Sequence, residues 1–138
     1  MKHGFQYLIS KTHTDSAGVA LVEFALVVPL LLAIIFATFD LGWAVYANNT
    51  VSLAAREGAR KGIISTASES TIDAHVQTIA TGLNLQASDI DVNRHTDSGV
   101  DYVTVTVDYT YSPFTPFISI LLSGGTITLT GKATMYVE

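Results

Sequence analysis

The sequence predicts an α+β protein: a long N-terminal transmembrane helix, a second short helix and a small three-stranded antiparallel sheet. Three observations lead there. Residues 18–46 read GVALVEFALVVPLLLAIIFATFDLGWAVY, with no ionisable side chain between Phe24 and Phe39. Further on, Ile72, Val76, Ile79 and Leu83 recur at helical spacing. From residue 89 onward the apolar residues alternate with period two.

The apolar run comes first because it constrains everything else. A helix needs roughly 20 apolar residues to span a bilayer, and residues 19–46 exceed that. Trp43 and Tyr46 stand at its far end, where amphipathic aromatics favour the membrane interface. Residues 1–18 carry two lysines against one aspartate, whereas residues 19–138 carry five basic side chains against eleven acidic ones. Positive flanks stay in the cytoplasm, so the N-terminus is expected there and the C-terminal body across the membrane. A conventional secretory signal has an apolar core of about 7–15 residues followed by a small-residue cut. Val45-Tyr46-Ala47 offers such a cut, but the run is too long and Asp40 and Trp43 interrupt the approach.

Composition narrows the chemistry. The 138 residues suffice for one small domain beside the helix. Mean hydropathy is +0.39, much of it from the one run. The absence of cysteine removes disulfides, thiol nucleophiles and thiolate metal sites. A net charge of −5 argues against a nucleic-acid partner. Asp89, Asp91 and Asn93 have the spacing of the first ligands in a calcium loop. Arg94 replaces its turn glycine, however, and Val100 its bidentate glutamate. His3, His13, His75 and His95 lack metal-ligand spacing. Ser123-Gly124-Gly125 lacks the flanks of a nucleophile elbow. No enzyme, metal or cofactor is expected.

Within the helix, Glu23 is the discordant residue. A carboxylate at the bilayer centre costs about 2.5–3.5 kcal/mol, and less near the edge. It can be accommodated at a helix N-terminus, where the macrodipole favours an acid and the side chain can reach the headgroups. Pro29 removes one backbone hydrogen bond and kinks the axis, which membrane helices tolerate. The helix is expected to begin near Ser16 or Gly18 and to continue past the membrane to Gly62, about 67 Å at 1.5 Å per residue. In NNTVSLAAREGARKGI, Ala54, Gly58 and Gly62 make a small-residue stripe, with Val51, Ala55 and Ala59 beside it. Such a stripe lets a neighbouring backbone approach closely. Arg56, Glu57, Arg60 and Lys61 lie opposite, with Glu57 and Lys61 in the favourable i,i+4 order.

The second helix opens at Ser68 or Ser70, with Asp73 in its first turn, and closes at Gly82 and Asn84. Its apolar face should pack on the body. Ile90 and Val92 begin the first strand, and Asp97-Ser98-Gly99 is a turn signal. In the second strand Val103, Val105, Val107, Tyr109 and Tyr111 alternate with Thr104, Thr106, Asp108 and Thr110. Val105 and Val107 are expected to face the helices, Thr104 and Thr106 water. PFTPFISILLSGG is an apolar connection with one short helical turn. Ile127, Leu129, Ala133, Met135 and Val137 mark the third strand. The small-residue face of the long helix, with the second helix, can cover the apolar side of the sheet.

Gly18, Val19 and Glu23 together resemble the class III signal sequences of type IV pilins and pseudopilins: a short basic leader, a glycine, an apolar helix, and a glutamate five places after the glycine. VEFALVVPLLL, the Asp40-Leu41-Gly42-Trp43 step and AAREGAR then resemble the TadE-like family, pseudopilins of the tight-adherence (Flp) pilus. The matching positions are Glu23, Phe24, Ala25, Leu26, Pro29, Asp40, Gly42, Ala54, Ala55, Arg56, Glu57, Gly58, Ala59 and Arg60. The resemblance implies a pilin-like fold with a leader over residues 1–18, a transmembrane helix over 19–46 and a periplasmic domain over 47–138. It implies cleavage between Gly18 and Val19, a processing or assembly role for Glu23 and Phe24, and helix packing through Pro29, Ala54, Gly58 and Gly62. The expected partners are other pilin or pseudopilin subunits, prepilin peptidase, the inner-membrane pilus assembly platform and membrane lipid. The expected function is that of a minor pilin in pilus assembly, supporting adhesion and biofilm formation, with the pilus or cell exterior as a further location. The alternative is an uncleaved single-span protein whose outer domain binds or scaffolds a periplasmic partner.

Overall fold

A computed structural model of the chain describes residues 16–64, 66–115, 118 and 125–137. Residues 1–15 of the expected leader lie outside this set, as does most of the apolar connection after Phe114. Helix α1 (Ser16–Gly62) is followed by α2 (Glu69–Ile79) and by strands β1 (Ile90–Asp97), β2 (Val100–Tyr111) and β3 (Ile127–Tyr136). The architecture is α+β. The chain divides into two units after Ile34, and α1 runs through the division.

In the first unit the helix presents apolar side chains on all sides. Val19, Leu21, Val22, Phe24, Leu26, Val27, Leu30 and Leu31 are all exposed, each by half or more of its surface. A helix apolar all round is suited to a lipid or protein environment rather than to water.

In the second unit, burial along α1 begins at Asp40 and proceeds through Ala47, Val51, Ala54, Ala55, Gly58, Ala59 and Gly62. These positions recur every three or four residues, so they form one face of the helix. Their small size brings α1 close to its cover. A Cβ on Gly58 would stand 2.6 Å from Val76 Cγ2, and one on Gly62 2.9 Å from Val103 Cγ2. Helix α2 contributes Ile72 and Val76, both fully buried, and Ser68 caps it by accepting the Thr71 N–H at 3.3 Å. The helix ends at Ile79, earlier than the expected closure at Gly82. A 3₁₀ turn (Thr81–Leu83) follows, and Asn84 takes the left-handed conformation at φ 49°. Leu83 still reaches the core, because the tighter turn returns it to the same side.

The sheet order is β1-β2-β3, antiparallel throughout. Asp97 pairs with Val100, leaving Ser98 (φ 52°) and Gly99 (φ 83°) as a two-residue turn. Positive φ at both positions matches the twist of the flanking strands. Val103, Val105 and Val107 of the central strand are fully buried beneath the helices. Thr104, expected in water, is instead buried at 8% exposure. It lies on the central strand between Asn93 and Thr134, and its hydroxyl is 2.9 Å from that of Thr134. Cross-strand neighbours on both sides cover a central position even on the outer face. Thr106 is half-buried. On α1 the carboxylate of Glu57 lies 4.0 Å from Arg60, one residue short of the expected partner Lys61.

Candidate functional site

Two features of α1 carry the chemistry, one in each unit. The first is the N-terminal segment. Gly18, Val19, Glu23 and Phe24 all lie within the helix and are exposed, Phe24 by 68% of its surface. The carboxylate of Glu23 therefore stands on a surface otherwise made of hydrocarbon. Pro29, inside the same helix, is exposed as well. Among the described residues of this unit, Glu23 is the one ionisable side chain.

The second feature is a polar clasp around Asp40, only 2% exposed. Its Oδ1 accepts the Tyr111 hydroxyl at 2.8 Å and the Phe114 N–H at 2.8 Å. Its Oδ2 accepts the Thr115 N–H at 2.9 Å and the Thr115 hydroxyl. Tyr111 also reaches the Asp40 backbone carbonyl at 3.2 Å. Each carboxylate oxygen thus has two donors, which fill its lone-pair positions. Burial, reinforced by the hydrogen bond and the charge of Asp40, pushes the Tyr111 phenol up to about 12, keeping it protonated as a donor.

Asp40 counted in the sequence only as a matching position and an ionisable group in an apolar run. Its partners were not anticipated. The available signal was physical: a carboxylate in such a helix must find donors. Beyond the end of β2 at Tyr111, the successive N–H groups of Phe114 and Thr115 both donate to that carboxylate.

The remaining expected positions are in the second unit. Ala54, Ala55, Gly58, Ala59 and Gly62 are buried, the two glycines against α2 and β2, so within this chain the small-residue stripe admits its own domain. Arg56 and Arg60 are exposed, and Glu57 is half-buried. Among the described residues no group of three or more His, Cys, Asp or Glu side chains could hold a metal ion.

Among the described residues one helix is long and apolar enough to cross a membrane, which is compatible with a single-pass membrane anchor. The family model described as TadE-like protein matches residues 18–60, so this segment of the chain is similar to that family. The match takes in the exposed helix, Glu23, Asp40 and the buried small-residue face, and stops before α2. Comparison with curated proteins and with solved structures gives no match.

Proposed function

We propose that this protein is a pseudopilin of a tight-adherence pilus, a minor subunit inserted in the bacterial inner membrane and used in pilus assembly. The observation that carries the reading is Glu23, a lone carboxylate five residues after Gly18 on an otherwise apolar, exposed helix that matches the TadE-like model. In this reading prepilin peptidase cuts between Gly18 and Val19 at the cytoplasmic face. The helix first anchors the subunit, with the domain in the periplasm, and then packs among the helices of other pilins on the assembly platform. Adhesion and biofilm formation follow from the pilus rather than from a binding pocket on this chain.

Glycine at the cut lacks a Cβ, which allows the backbone to extend into a protease cleft. The Gly18→Val protein should keep its leader when co-expressed with the peptidase, whereas the parent should begin at Val19. Mass spectrometry of the mature N-terminus checks both. An intact Met1 in the parent, with active peptidase present, would favour the uncleaved single-span anchor.

A further inference from the structure

Phe114 is the most exposed large apolar residue described, at 83%. It is not on a free loop end. Its own N–H is bonded to Asp40 Oδ1, and its neighbour Thr115 is bonded to Oδ2 through backbone and hydroxyl. The clasp therefore holds an aromatic ring outward at the level of Asp40, where burial of α1 by the domain begins. The helix surface at that level is itself apolar and exposed: Phe39 by 71%, Leu41 by 67% and, one turn before Asp40 on the same face, Phe36 by 51%. Trp43 follows, 38% exposed. The segment that carries Phe114 has no charge of its own. Between Asp108 and Lys132 the sequence has no ionisable side chain other than Tyr109 and Tyr111.

We infer that Phe114 is a second membrane contact of this protein, inserted at the headgroup–acyl boundary of the phospholipid bilayer beside the point where α1 leaves it. The occupant is lipid because the exposed ring is continuous in level with the helix surface that faces lipid, and because aromatic side chains concentrate at that depth. Asp40 acts as the positioning residue. It ties the chain after β2 to the helix at one axial height, which sets where the ring stands along α1.

The inference rests on the membrane anchoring proposed above, and the test separates the two. Trp43 is the one tryptophan of the chain, so Trp43→Phe gives a silent background. Into it Phe114→Trp or Leu31→Trp is introduced, and the full chain is reconstituted in phosphatidylcholine–phosphatidylglycerol vesicles with lipids brominated at shallow or deep acyl positions. The tryptophan at position 114 should show blue-shifted emission, quenched most by shallow bromine. The one at position 31 should be quenched most by deep bromine. Solvent-like, unquenched emission at 114 with deep quenching at 31 overturns the inference alone. Blue-shifted emission at 114 that no bromolipid quenches assigns the ring to a protein contact and also overturns it. Absence of quenching at 31 overturns the anchoring and the inference together.

Discussion

Asp40 sits where a carboxylate is costly unless its lone pairs are filled, and four donors from residues 111–115 fill them. Replacing it by alanine leaves the Thr115 hydroxyl and two backbone N–H groups without that acceptor, and leaves the Tyr111 hydroxyl only the backbone carbonyl of residue 40. Asp40→Ala should lose on the order of 3 kcal/mol, as an unsatisfied buried donor costs about 1–3 kcal/mol. Tyr111→Phe removes one donor and should lose about 1 kcal/mol. The tyrosine also sets an alkaline limit. Its folded value, about 12, lies above the ordinary value near 10. Its contribution is therefore complete below about pH 10 and lost as the pH rises through about 12, a loss that Tyr111→Phe should abolish. Denaturant unfolding of the detergent-solubilised chain between neutral pH and pH 12 measures all three. Equal midpoints for Asp40→Ala and the parent would mean that the clasp adds nothing to stability.

At the scale of elements, the decisive feature is how close the sheet comes to α1. Gly131 of β3 is buried, and a Cβ there would overlap the Val51 carbonyl and come 2.8 Å from the Ser52 nitrogen. Those are helix backbone atoms, which cannot step aside as a side-chain tip can. Gly131→Val should lift β3 from the helix and cost about 3 kcal/mol or more, at or beyond the upper end for overpacking. Thr128→Val, on an exposed position of the same strand, should be nearly neutral. Hydrogen exchange of the β2–β3 amides distinguishes them: protection should fall for Gly131→Val and persist for Thr128→Val. A glycine inside a strand weakens it and marks close backbone approach, but Gly131 was not among the positions singled out in the sequence. Which backbone approached was not legible, since Val51 is far away in sequence.

For the whole molecule, the apolar helix and the folded body serve different ends. The body buries its own small-residue stripe, whereas the N-terminal surface, with Glu23, is exposed. If cleavage frees an amine at Val19, a neighbouring subunit's amine can meet the Glu23 carboxylate. Two unit charges 4 Å apart attract by about 4 kcal/mol at an effective dielectric of 20, less the solvent each loses. The pair would act mainly as a register lock, because one axial offset alone brings the two groups together. Glu23→Gln should therefore still be inserted and cut, yet recover far less partner pilin in a pull-down. Recovery at the parent's level would leave Glu23 as an acid merely tolerated near a helix end.

The elements were readable in the sequence because each is a local period. The uncharged run between Phe24 and Phe39, the spacing of Ile72, Val76 and Ile79, and the alternation along β2 each report burial on one side of one element. The Ser98-Gly99 turn was readable for a similar reason, as φ above zero selects residue types directly. The end of α2 was less so. Propensity places the stop near Gly82, whereas the 3₁₀ turn that follows Ile79 keeps Leu83 in the core by a different winding. Tertiary structure alone decided the pairing of Asp40 with a segment more than 70 residues away, the burial of Thr104 between two strands, and the seat of Gly131 on Val51. A periodic pattern records that a side chain is covered. It carries no record of which distant chain covers it, and the choice of polar partner depends on that meeting.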